Sequence, residues 1–132
     1  MSGDGRGGTL DLARLPIVLV VDPVVASRHT MWRLLSRSFG VLEAPDALRA
    51  RDWLNCRPNI DALVVQTELP DTCGSEFVKS LAAARIPVAS RTIIVARPVD
   101  LRTLVTSLAG WFLSRDAAKT EALLREAERL VS

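Results

Sequence analysis

Runs of consecutive apolar and β-branched residues occupy positions 17–21, 60–66 and 92–96 of the chain. Because apolar and polar residues do not alternate in them, these runs fit strands that are covered on both faces, as in a parallel sheet. A shorter strand is predicted at 41–44, and the run at 111–114 fits a further one. The pattern therefore predicts five strands.

Between the strands, apolar residues recur at helical spacing. The first such segment, at 26–39, is followed by Gly40, a residue type that often ends a helix. Three further helices are predicted to follow residues that cap helix N-termini well, namely Asp46, Ser75 and Asp100. The helix after Asp100 is predicted to stop at Gly110, and a fifth helix runs from about position 117 to the end.

Five strands that alternate with five helices predict an α/β fold. The expected architecture is a doubly wound, five-stranded parallel sheet with right-handed crossovers and helices on both faces. In such a sheet, ligands and chemistry lie beyond the carboxyl ends of the strands. The residues that the pattern places there are Asp22, Pro23, Gln66, Ala96 and Ser114.

The composition fits one compact domain. Of the 132 residues, 48% are hydrophobic, which is enough to form one aliphatic core. We assign this domain to 16–132 and predict that the glycine-rich stretch at 1–15 is a flexible tail. The two cysteines, Cys56 and Cys73, are too few for a disulfide framework, so we expect both to be reduced thiols.

Charge and hydropathy argue against two classes of partner. The net charge is +2 and the basic residues are spread among acidic ones, so we expect no direct nucleic-acid binding by this domain. The apolar runs are too short to span a bilayer, and the first residues lack the apolar core of a secretory signal. We therefore expect a cytoplasmic protein without membrane contact.

Two stretches of the sequence carry a family resemblance. The first, VLVVDPVVASRHTMWRLL at 18–35, resembles the opening strand, acidic pair and first helix of bacterial response regulator receiver domains. The second, PNIDALVVQTELPDTCGSEFVKSL at 58–81, resembles the phosphoacceptor strand, the turn after it and the third helix. In this second stretch the residues that match the family pattern are Asp61, Leu63, Leu69, Pro70, Asp71, Gly74 and Leu81. The resemblance covers roughly 16–131.

The resemblance implies a flavodoxin-like sheet of strand order 2-1-3-4-5 and a domain that takes a phosphoryl group from a histidine kinase onto an aspartate, with magnesium bound. Several positions depart from that pattern. Gln66 stands at the acceptor position, Pro23 replaces the second carboxylate beside Asp22, and Ala96 replaces the switch hydroxyl. One aspartate and a neutral amide make a poor magnesium site. We therefore expect a pseudo-receiver with no catalytic residues, no metal and no cofactor.

The family's lysine at the end of the last strand has two candidate positions. Arg97 begins the run RPVDL, which resembles the Lys-Pro-Phe-Asp-Leu run that follows this strand in the family. However, only one helix and one strand fit between Gln66 and Arg97, and this register leaves the segment at 111–132 unassigned. We therefore assign the position to Ser114, followed by Arg115, and expect Asp22 to pair with Arg115 or Arg97.

The function predicted from these residues is signalling by protein–protein interaction without phosphorylation. Receiver domains commonly dimerise through helix 4, strand 5 and helix 5, so we expect a signalling partner or a second copy to bind that face. Its apolar residues in this chain are Leu101, Leu104, Val105, Leu108 and Trp111. Two alternatives remain open: a receiver that accepts phosphate on Glu68 or Asp22, and a domain that binds a small metabolite in the emptied pocket.

Overall fold

A computed structural model describes residues 15–131, so all but the last residue of the predicted tail at 1–15 lies outside the described residues. The strands are β1 (Ile17–Val21), β2 (Gly40–Ala44), β3 (Ala62–Gln66) and β4 (Thr92–Val95). The α-helices are α1 (Val25–Leu35), α2 (Ala47–Cys56), α3 (Gly74–Ala83), α4 (Leu101–Phe112) and α5 (Ala117–Val131). A short 3-10 helix, Pro87–Arg91, precedes β4.

The four strands form one parallel sheet of order β2-β1-β3-β4. The prediction of an α/β fold with a parallel sheet and five helices is confirmed, but the prediction of five strands is wrong. The described residues contain no strand at 111–114, because Trp111 and Phe112 are the last two residues of α4. Leu104, Leu108 and Phe112 are spaced four residues apart, so Phe112 continues the helical repeat.

Helices cover both faces of the sheet, as predicted. Val18, Val20 and Val64 belong to one buried cluster with residues of α1, α4 and α5. Leu19 and Val65 belong to a second cluster with residues of α2 and α3. Successive side chains of β1 therefore point to opposite faces, which explains why this strand is apolar at every position.

The predicted partner face on α4 is largely internal. Leu101, Leu104, Val105 and Leu108 are each 5% exposed or less and pack into the first cluster with Leu123 and Ala127 of α5. Four of the five residues named for the partner face therefore lie inside the domain, and the binding of a partner to this face stays a prediction. The apolar faces of α4 and α5 pack against each other and against the sheet. Only Trp111 of this set is substantially exposed, at 40%.

Three predicted helix ends differ from the observed ones. Helix α1 ends at Leu35, and Phe39 is buried beyond the helix. Helix α3 begins at Gly74, so that Cys73 rather than Ser75 is its N-cap residue. Helix α4 passes through Gly110, which is exposed and has no heavy atom within 4 Å of the place where a Cβ would lie. Nothing at this position forces the helix to stop.

Both cysteines are free and exposed in the structure. Among residues 15–131, no helix is long and apolar enough to cross a membrane.

Candidate functional site

Three polar side chains meet at the carboxyl edge of the sheet. Asp22 directly follows β1, Gln66 is the last residue of β3, and Arg97 lies two residues after β4. Because β1, β3 and β4 are parallel neighbours, their ends lie side by side. Asp22 is fully buried and Gln66 is 2% exposed, whereas the side chain of Arg97 is 40% exposed.

The Asp22 carboxylate is the centre of this site. Arg97 Nη2 donates to Asp22 Oδ1 at 2.6 Å, and Arg97 Nη1 lies 3.4 Å from Oδ2. The backbone N–H of Val24 also donates to Oδ1, at 2.9 Å. The Gln66 amide donates to Oδ2 at 3.2 Å. Each carboxylate oxygen therefore accepts at least two hydrogen bonds, and the buried charge is paired with a cation.

Burial alone would raise the pKa of Asp22, because it disfavours the charged form. Hydrogen bonds from Arg97, Ser27 and the Val24 N–H, together with the charge of Arg97, outweigh burial and hold the pKa below its ordinary value. Asp22 is consequently an anion at neutral pH.

The end of β3 is held tightly against the start of α3. The Gly74 N–H donates to the Thr67 carbonyl at 2.7 Å. A Cβ on residue 74 would lie only 2.3 Å from the Gln66 carbonyl oxygen, so the glycine permits this close approach of two backbones. The glycine of the turn TELPDTCG therefore positions α3 directly beside the Gln66 end of the strand.

An open cleft of about 290 Å³ lies above β3 and β4. Its lining residues are Gln66, Thr67, Glu68, Ala96 and Arg97. Glu68 is exposed here, and its backbone forms an isolated antiparallel bridge with Cys73. The structure thus brings the predicted residues Glu68 and Ala96 to the same edge as Gln66 and Asp22.

Two further contacts fix the loops around the site. The Asp71 carboxylate accepts hydrogen bonds from the N–H groups of Ala47 and Leu48, at 3.1 and 3.0 Å, and so joins the β3–α3 loop to the start of α2. Arg28 donates to the Asp22 carbonyl at 2.6 Å and to Glu43 at 3.1 Å. These bonds connect the ends of β1, β2 and β3 independently of the Asp22 carboxylate.

The assignment of the family's lysine position to Ser114 is wrong. Ser114 and Arg115 lie in the exposed loop between α4 and α5, because the strand that was predicted to end there is part of α4. Arg97 follows the last strand instead and forms the ion pair with Asp22. The resemblance of the run RPVDL to the family's Lys-Pro-Phe-Asp-Leu run is the sequence signal that pointed to Arg97. Pro23 lies in the β1–α1 loop, next to Asp22, and is partly exposed.

Among residues 15–131, no group of three or more histidine, cysteine or acidic side chains is placed to hold a metal ion. The part of the chain that the structure describes also contains no buried side-chain nitrogen or oxygen without a hydrogen-bond partner. Asp22, Ser38 and Gln66 are its buried polar residues, so two of these three belong to the site.

The protein is similar in structure to several receiver domains, although no protein-family model and no curated protein matches its sequence. A response regulator receiver protein from Pseudomonas putida has a TM-score of 0.65 at 22% identity, over 73% of this chain and 97% of that one. A CheY-like receiver domain from Methylobacillus flagellatus has a TM-score of 0.57 at 28% identity, over 62% of this chain and 70% of that one.

A third structure with the same fold is a complex. It is the co-crystal structure of a histidine phosphotransfer signaling protein from Saccharomyces cerevisiae and the receiver domain of its downstream response regulator. Its TM-score is 0.65 at 14% identity, over 76% of this chain and 90% of that one. The chain has the fold of a response regulator receiver domain. This receiver-like domain has a sheet of four strands, and Asp22, Gln66 and Arg97 lie at the edge where its site was expected.

Proposed function

We propose that this receiver-like domain works in signalling by binding a protein partner, without accepting a phosphoryl group at the end of β3. The observation that carries the proposal is the buried amide of Gln66, which donates to Asp22 at 3.2 Å. A carboxylate oxygen at this position would be a nucleophile for phosphorus, whereas a primary amide is a very weak one. The amide is also a hydrogen-bond donor, which suits a place beside an anion.

The hydrogen bonds of Asp22 support the same proposal. Both of its oxygens already accept two hydrogen bonds, and the side chain is fully buried. A phosphoryl donor has no access to this carboxylate unless the Arg97 ion pair opens first. Asp22 therefore acts as a structural anion that holds Arg97 across the end of the sheet.

A fixed guanidinium also limits conformational switching. A ligand shifts a conformational equilibrium only by the difference in its affinity for the two states. In this site the positive charge beside Asp22 belongs to Arg97 and is covalently part of the chain, so its presence does not depend on phosphorylation. We propose that the domain stays in one state and that partner binding or protein abundance regulates it.

The class of partner is proposed from the structural neighbours. One receiver domain of the same fold was crystallised with a histidine phosphotransfer protein. A signalling protein of that kind, or a second copy of this chain, is the partner that we propose here.

A phosphodonor challenge tests the proposal. The protein is incubated with acetyl phosphate and Mg²⁺, and intact-mass spectrometry is combined with sedimentation velocity, alone and with a histidine phosphotransfer domain. We expect no phosphoryl adduct and the same sedimentation profile with and without the donor. A stable adduct, or association that requires the donor, would contradict the proposal.

A second candidate function rests on Glu68, which is exposed in the same cleft as Arg97. If Glu68 accepts the phosphoryl group, the adduct forms in the wild type and disappears in Glu68→Gln, while Glu76→Gln, a change at an exposed glutamate on α3, leaves it unchanged. The binding of a small metabolite in the cleft is tested separately, by screening ligands for an increase in the melting temperature. Thr67→Trp fills the cleft and should abolish any such increase.

A further inference from the structure

An apolar groove lies at the opposite, amino edge of the sheet from the site. Its volume is about 270 Å³, and its lining residues are Leu54, Arg57, Pro58, Ile60, Ile86, Pro87 and Val88. All of these except Arg57 are apolar. A groove of this volume with an almost wholly apolar lining can hold one or two apolar side chains of a peptide segment.

The chain enters the fold beside this groove. The Ile17 N–H donates to Asp61 Oδ2 at 2.9 Å, and the Asp61 N–H donates to the Ile17 carbonyl at 2.8 Å. Ile60, the residue before Asp61, lines the groove. The segment that precedes β1 therefore starts within a few ångströms of the groove wall.

We propose that the segment Thr9–Arg14, which lies outside the described residues, docks in this groove through Leu10 and Leu12. Leu12 is five residues before Ile17, and an extended chain spans about 3.5 Å per residue, so Leu12 has a reach of about 17 Å from the start of β1. That reach is sufficient for a groove whose wall begins at the neighbour of Asp61.

The segment has an apolar residue on each side of one acidic residue, Asp11, and ends in a basic residue, Arg14. In an extended conformation, Leu10 and Leu12 lie on the same side, and Asp11 lies on the other. The groove has apolar walls and one cation at its rim, Arg57, which is exposed. Two leucines can therefore enter the groove while Asp11 lies near Arg57. Linkage through β1 also raises the effective concentration of the segment to the millimolar range.

Paramagnetic broadening tests the docking in the full chain. Cys56 precedes Arg57 and is exposed, so a spin label on Cys56 in a Cys73→Ser background reports on the groove rim. We expect strong broadening of the Leu10 and Leu12 resonances. The matched control is a label on Cys73 in a Cys56→Ser background, at the opposite edge of the sheet, where we expect little broadening. Equal effects from the two labels would overturn the proposal.

Substitutions in the segment give a second readout. The double variant Leu10→Ser/Leu12→Ser should remove the broadening and shift the methyl resonances of Ile60, Ile86 and Val88. Leu48→Ser, which changes a leucine that is 63% exposed on α2, should leave those resonances in place. Unchanged groove methyls in the double variant would contradict the docking.

Two further experiments test whether the segment of the same molecule fills the groove: exchange of the charges at Asp11 and Arg57, and mixing of labelled with isotope-enriched protein. Asp11→Arg and Arg57→Asp should each weaken the broadening, and the double variant should restore it. Failure of the double variant to restore it contradicts the pairing of Asp11 with Arg57.

Finally, spin-labelled protein is mixed with an unlabelled, isotope-enriched copy. Broadening of the enriched copy would show that the segment of another molecule fills the groove, and would overturn docking within one chain.

Discussion

Asp22 and Asp71 are two carboxylates at the same edge of the sheet, and both have a pKa below the ordinary value. Their surroundings differ. Asp22 is fully buried and paired with the guanidinium of Arg97, whereas Asp71 is exposed and bonds to the backbone N–H groups of Ala47 and Leu48. In each case burial raises the pKa and hydrogen bonds outweigh it. The direction of a pKa shift alone therefore does not tell how much a carboxylate contributes to stability.

The difference between the two residues lies in what remains when a partner is removed. Around Asp22, the loss of a partner leaves a charge in a dry environment, which is strongly destabilising. At Asp71, the loss of the carboxylate leaves two N–H groups at the start of a helix, where water can replace it. The following substitutions test this difference.

The largest effect is expected for Arg97→Met, which leaves the buried Asp22 carboxylate without its cation. We expect the free energy of unfolding to fall by about 3 kcal/mol, measured by urea denaturation at neutral pH. Arg115→Met is the matched control, because Arg115 lies in the exposed α4–α5 loop, and its effect should be within about 0.5 kcal/mol. Equal effects of the two substitutions would refute the role of Arg97.

A smaller loss is expected for Asp22→Asn, about 2 kcal/mol, because the amide places a donor among groups that also donate. The loss is smaller than that for Arg97→Met because the Arg97 side chain is 40% exposed and can turn toward water. The double variant Asp22→Asn/Arg97→Met should cost less than the sum of the two single changes. Strict additivity in this double-mutant cycle would show that the two residues do not interact.

Asp71→Ala should lower the free energy of unfolding by about 1 kcal/mol, the usual cost of removing a helix N-terminal cap. The comparison variant is Asp52→Ala, which changes an exposed carboxylate on the same helix, α2. We expect Asp52→Ala to be nearly neutral. Hydrogen exchange should also show faster exchange of the Ala47 and Leu48 amides in Asp71→Ala alone.

The smallest expected effect is a difference in acid sensitivity. Because the pKa of Asp22 is lower in the folded protein than its ordinary value of 3.8, the unfolded chain binds more protons in acid. The stabilisation is fully present above the unfolded pKa and is lost as the pH falls through the folded pKa. Between about pH 5 and pH 2, the stability of Asp22→Asn should therefore fall less steeply than that of the wild type. Parallel curves would contradict this linkage.

The first half of the fold was predictable from local patterns. β1 and β3 are apolar at nearly every position because both faces of the sheet are covered. Once these strands were assigned, the polar residues that follow or end them, Asp22 and Gln66, were placed at the carboxyl edge. The structure places both residues there, buried and hydrogen-bonded to each other.

The second half was not predictable in the same way. The run at 111–114 is too short to distinguish a strand from the last turn of a helix by its apolar residues alone. A strand at 111–114 puts the end of the last strand at Ser114 instead of Val95, and the sequence then offers Arg115 as well as Arg97 as a partner for Asp22. The burial of Leu104 and Leu108 depends on the packing of α5 against α4, which is a tertiary contact without a local sequence signal.

The ion pair of the site joins residues that are 75 positions apart in the sequence, and the Asp22–Gln66 bond joins residues that are 44 apart. Closing such long loops costs entropy, so we expect these contacts to form after β1, β3 and β4 have paired. We therefore expect Asp22 to stay hydrated during folding until β4 joins the sheet. Substitutions at Arg97 should consequently accelerate unfolding and leave the refolding rate nearly unchanged, because the ion pair with Asp22 is expected to form after the rate-limiting step of folding.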